Sequence, residues 1–123
     1  MPLETVVEGD AARQLVRRLH VGAATVPQDT LVAEYGYRGT VLYLSRFASP
    51  EQARGALEAM LAAIRAGRGP FSRPEAVNDG SWAMSGLGLA HRLWVRGSRL
   101  VWLQAPPDAI EAAVRDLGRY GPG

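Results

Sequence analysis

Leu93-Trp94-Val95-Arg96-Gly97-Ser98-Arg99-Leu100-Val101-Trp102-Leu103 is the stretch whose reading decides the fold. Two runs of aliphatic and indole side chains flank Gly97-Ser98, a pair suited to a two-residue type II′ turn, which wants glycine first. That turn pairs Arg96 with Arg99, Val95 with Leu100, Leu93 with Trp102 and His91 with Gln104. Side chains alternate along a strand, so Leu93, Val95, Leu100 and Trp102 share one face. Trp94, Val101 and Leu103 share the other, beside Arg92, Arg96 and Arg99. A one-residue shift of the turn would exchange the faces.

Outward from the hairpin, Pro106-Pro107 stops the last strand, since proline cannot donate to the ladder. A helix follows with Ile110, Ala113, Val114 and Leu117 on one face. Gly118 ends it, and Arg119 to Gly123 reads as a frayed tail. A similar unit stands upstream, from Tyr35 to Ile64. Leu31 to Phe47 is a hairpin turning at Arg38-Gly39, with strand cores Glu34 to Tyr37 and Thr40 to Leu44. Ser49-Pro50-Glu51-Gln52 then opens a helix: Ser49 caps, Pro50 takes the first helical position and Gln52 completes a capping box. Ala53, Leu57, Met60, Leu61 and Ile64 form its apolar stripe, and Gly67 ends it. Arg38 to Leu44 matches Arg96 to Trp102 at a constant offset. Duplication and shared turn chemistry explain the match equally well.

Elsewhere, Asp10 caps a helix whose face is Ala12, Leu15, Val16 and Leu19. Gly22 to Asp29 is a loop broken by Pro27. Arg68 to Gly80 is a long connection and the least ordered part of the middle. Ser81 to Ser85 is a short strand carrying Trp82 and Met84, and Gly86 and Gly88 mark a turn or bulge. The expected fold is α+β: one domain over residues 1–123, built as a single antiparallel sheet of about five strands with helices packed on one face, as two ββα units.

With 123 residues the chain is long enough to bury a core without staples. It has no cysteine, which removes disulfides, thiolate chemistry and cysteine metal sites. All 14 cationic residues are arginine, a habit of GC-rich genomes, and the net charge of +2 is too small to imply nucleic acid. No apolar run approaches the roughly 20 residues that cross a bilayer. Met1 to Glu8 carries acids and no long apolar core, so it is no signal peptide. The expected location is the cytoplasm or, if the chain is trimmed, the cell envelope.

No nucleophile elbow, phosphate-binding loop, paired-histidine motif or EF-hand loop is present. Ser85-Gly86-Leu87-Gly88 leads into a strand rather than a helix, which removes the helix N-terminus a phosphate site uses. As a base His91 would need a nearby nucleophile or carboxylate, and the sequence names none, so it reads as a structural or merely exposed residue. His20 suits a helix C-terminus. Met60 and Met84 with His91 could ligate haem, but Met60 lies on an apolar stripe, so no cofactor and no metal site is expected. The candidate site is the second hairpin face: Trp94, Val101 and Leu103, rimmed by Arg92, Arg96 and Arg99. One face of a one-sided sheet meets solvent, and an apolar patch there calls for a partner, either a second copy or another protein. The alternative is that the chain's own N-terminal helix or long connection covers it.

Val41 to Ala53, a strand running into Phe47-Ala48-Ser49-Pro50-Glu51-Gln52-Ala53, resembles the strand-to-helix junction of uncharacterised bacterial cell-envelope and lipoprotein domains. The glycine-rich hairpin Gly86 to Trp102 continues the likeness, which covers the chain from Leu31 onward. The chain lacks the export signal and lipidated cysteine of that group. The same junction is similar to that of ferredoxin-like dimeric α/β barrels, some of which are haem or small-molecule enzymes. The first resemblance implies a non-enzymatic accessory or protein-interaction domain, the second a small-ligand-binding or cofactor-dependent enzyme. Neither transfers a catalytic residue.

Overall fold

The structure is a computed structural model that describes residues 3–8, 29–35, 40–67, 69–117 and 121–122. The strands are β1 (Leu3–Glu8), β2 (Asp29–Tyr35), β3 (Val41–Arg46), β4 (Glu75–Ala76), β5 (Trp82–Gly86), β6 (Leu89–Arg96) and β7 (Arg99–Ala105). The helices are α1 (Pro50–Arg65), between β3 and β4, and α2 (Ile110–Asp116), after β7. All pairings are antiparallel, in the order β1-β2-β3-β7-β6-β5-β4. The fold is therefore α+β on one antiparallel sheet, with seven strands in place of about five. The additions are β1, which no strong alternation announces, and β4, a two-residue edge within the 68–80 connection.

Local chemistry sets these elements as the spacing predicts. Gly97 has φ 61°, and the register Arg96↔Arg99, Val95↔Leu100, Leu93↔Trp102, His91↔Gln104 is the one a turn at Gly97-Ser98 imposes. Ser49 is the N-cap of α1, its hydroxyl accepting from the Gln52 amide at 3.2 Å. The Gln52 carboxamide reaches back to the Ala48 amide (3.4 Å), one residue before the cap, so the box closes around the strand exit. Gly67, at φ 85°, follows the C-terminal turn. The connection after it is tied to β5: Phe71 bridges Gly86, the Ser72 amide donates to the Ser85 carbonyl (2.8 Å), and Glu75-Ala76 pair with Ala83 and Trp82. The expected helix after Asp10 and the turn at Arg38-Gly39 lie outside the described residues.

The two described helices lie on opposite faces of the sheet, not on one. Ala53, Ala56, Leu57, Met60, Leu61 and Ile64 of α1 pack with Phe47, Met84, Leu93, Leu100 and Trp102. Ile110, Ala113 and Val114 of α2, with Leu117, pack with Ala33, Leu42, Trp94, Val101, Leu103 and Ala105. Both helices sit over β6 and β7, so the central hairpin is enclosed front and back. This explains a hairpin that is apolar on both sides: it is the middle layer of three. The arrangement also decides the repeat. A rotation carrying β2-β3 onto β6-β7 in this strand order would run perpendicular to the sheet and leave each face on its own side. The helices that follow the two hairpins lie on different faces, so no such rotation relates the units. The match of Arg38–Leu44 with Arg96–Trp102 is thus one of sequence, and the faces on which the following helices pack do not repeat it.

Candidate functional site

The structure takes the expected surface apart. Trp94, Val101 and Leu103 are at most 1% exposed, beneath α2. They form the second core, and the expectation of an open apolar face awaiting a second copy is corrected accordingly. The face is apolar as its alternation predicts, and the stripe Ile110, Ala113, Val114 is its partner.

Arg92 is not at a rim. It is 5% exposed on the α2 side of β6, where its guanidinium reaches Asp79 (3.4 Å), the Ser81 hydroxyl (3.4 Å) and Glu111 at the start of α2. Asp79 is itself organised by its turn, accepting from the Ser81 hydroxyl (2.5 Å) and amide (2.9 Å). Partial burial alone would raise the Asp79 pKa. The Ser81 hydrogen bonds and the charge of Arg92 outweigh it and hold the carboxyl below its ordinary value. Arg92 thus ties α2 and the 77–81 turn to the central strand. Arg96 is exposed and donates to the Gly121 carbonyl (2.8 Å), fixing the chain beyond α2. Arg99, exposed, stands in register between Arg96 on β6 and Arg46 on β3.

His91 lies on the α1 face, 1% exposed, with both ring nitrogens engaged. The Trp102 indole N–H donates to His91 Nδ1 at 2.9 Å. An indole can only donate, so Nδ1 carries no proton, and the Nε2–H donates to the Gly86 carbonyl at 2.9 Å. Phe71 stands edge-on to the imidazole (5.1 Å) and to the Trp102 ring (5.3 Å). Burial lowers the His91 pKa below its ordinary value, partly offset by the Gly86 carbonyl. Gly86 permits the arrangement: a Cβ there would stand 2.5 Å from the Pro70 carbonyl oxygen and 2.7 Å from the Phe71 ring. This is a structural cluster, with its donors and acceptors spent on one another.

Among the described residues an open concavity lies on the α1 face, beside the β4–β5 edge. It is a cleft of about 460 Å³ lined by Arg54, Leu57, Glu58, Leu61 and Arg65 of α1 and by Trp82 of β5. Leu57 and Leu61 are buried and form the floor, while Trp82 is half-buried. The Arg65 guanidinium sits over the indole, 5.1 Å from the ring centroid. Arg54 faces Glu51 one turn earlier (3.4 Å) in an exposed pair. The α1 spacing 54, 57, 58, 61, 65 is legible as one helix side. What the sequence concealed is that Trp82 comes to stand opposite it. Among the described residues no group of His, Asp and Glu is arranged to hold a metal ion, and no helix is long and apolar enough to cross a membrane. The chain matches no known protein family, no curated protein and no solved structure.

Proposed function

We propose that this chain is a non-enzymatic interaction domain, and that it docks a short segment of another protein in the α1–β5 cleft. The observation that carries the reading is Trp82 half-buried beneath Arg65 at the edge of a leucine-floored groove. Tryptophan and arginine dominate interface hot spots, because a rigid indole supplies apolar area and a guanidinium bonds in a fixed plane. The floor of Leu57 and Leu61 fits one aliphatic or aromatic anchor. Arg54 already pairs with Glu51, so Arg65, seated over the indole, is the cation that favours an acidic residue beside that anchor. By contrast, buried His91 and Arg92 are spent on groups of the same chain, His91 on Trp102 and Arg92 on Asp79 and Glu111.

The test is a set of synthetic twelve-residue peptides, each with one central Leu or Trp, flanked by none, two or four acidic residues. The reading expects micromolar binding that strengthens with acid content and weakens with salt. Trp82→Ala and Arg65→Glu should each abolish it while leaving the melting curve cooperative. Binding indifferent to acid content, or unchanged in Trp82→Ala, contradicts it. Binding of a small aromatic carboxylate in place of every peptide would favour the small-ligand reading, which the cleft volume also admits.

A further inference from the structure

We propose that His91 is an acid-sensitive latch: uptake of a proton there breaks its bond with Trp102 and releases the 70–72 strap from β5. The inference is independent of what the α1–β5 cleft binds. It starts from the two hydrogen bonds on one imidazole. The Nε2–H is committed to the Gly86 carbonyl, so the remaining site for a proton is Nδ1. A proton at Nδ1 would face the indole N–H of Trp102, donor against donor, at a separation of 2.9 Å. No rotation relieves the conflict, since imidazolium has two donors and no acceptor.

Among the described residues no charged group faces the imidazole either. Across the pairs, β5 presents Met84 and β7 presents Gln104, while the strap presents Phe71. The α1 stripe over this face is Ala53, Ala56, Leu57, Met60, Leu61 and Ile64. None of these groups is charged, so a cationic His91 must reach water. The thinnest cover is the strap. His91 and Trp102 are at most 1% exposed, whereas Phe71 is half-buried and held by a single chain. That chain rests on the Phe71–Gly86 bridge and on the pair of bonds linking Ser72 and Ser85, each 2.8 Å. Opening it hydrates His91 and leaves the α2 face of the sheet untouched.

The direction of the linkage follows. The folded pKa lies below the unfolded value of 6.5, so the contribution is fully present above 6.5. As pH falls from there toward the folded pKa, the open or unfolded state takes up a proton that the closed state refuses. One proton makes the opening constant rise by up to tenfold per pH unit across that window.

The experiment follows hydrogen exchange of the Ser72 and Ser85 amides, corrected for intrinsic rates, between pH 7.5 and 5.5, with denaturant melts in parallel. Wild-type protection at both amides should fall several-fold below pH 6.5, while Leu42 and Val101 keep theirs. His91→Gln can accept from Trp102 and donate to Gly86 and should flatten the response. His20→Asn, which removes the other histidine, should retain it. If His91→Gln does not fold, nitrogen shifts of the wild-type imidazole decide: Nδ1 should be mostly unprotonated at pH 6.5, the ordinary histidine value, with the strap closed. An imidazolium at or above pH 6.5 in the closed protein overturns the latch. So does a Ser72 amide equally protected at pH 7.5 and 5.5, or a response that His91→Gln leaves intact.

Discussion

Leu87 has φ 58° at the tip of the β5–β6 hairpin, next to Gly88 at φ 75°, and is 61% exposed. Two positive φ values in succession make this a type I′ turn, where asparagine is preferred first and a γ-branched residue is strained. Leu87→Asn is expected to stabilise by about 1 kcal/mol, because asparagine tolerates this region and little leucine burial is lost. A thermal melt checks the sign. Gly97 is the opposite case. A Cβ there meets nothing within 4 Å, so the cost of substitution is conformational alone. Gly97→Val should still destabilise by more than about 1 kcal/mol, since φ is positive. The turn at Gly97 was legible from the sequence, because its glycine sits first between two strand-forming runs. The role of Gly86 was not, since it depends on Pro70 and Phe71 arriving from a connection with no periodic signal.

At the scale of elements, α1 is the best-announced part of the chain. Its cap, its first-turn proline and its stripe are all local, and each residue of the expected stripe is buried. Ser49→Ala should cost about 1 kcal/mol, read by melting. The short α2 is different. It has no side-chain cap, so packing and the Arg92 contact must hold it. Periodicity located its apolar face but could not say which side of the sheet receives it, because that is fixed by the chain's path after Pro106-Pro107. Two substitutions separate the contributions. Glu111→Ala removes a carboxylate that is 67% exposed and should cost less than about 1 kcal/mol. Arg92→Ala should cost clearly more, about 2–3 kcal/mol. It strips a buried side chain and leaves the Ser81 hydroxyl and Asp79 without their cation. Equal costs for the two, measured by urea unfolding, would contradict this division.

For the whole molecule, the β6–β7 hairpin is the interior layer between α1 and α2. The sequence showed that both of its faces are apolar. A partner on one of them is expected only where the sheet is one-sided, the common state of an antiparallel sheet with helices. Trp94 decides between the two accounts. At 1% exposure beneath α2, its truncation should empty a cavity in the chain's own core and cost about 3–5 kcal/mol. The most direct measurement is therefore the urea unfolding of Trp94→Ala against wild type over a hundredfold range of protein concentration. The structure predicts a large loss that is the same at every concentration, because helix and indole belong to one chain. A Trp94→Ala protein as stable as wild type when dilute, with a deficit growing as concentration rises, would place a second copy on this face and contradict the three-layered core.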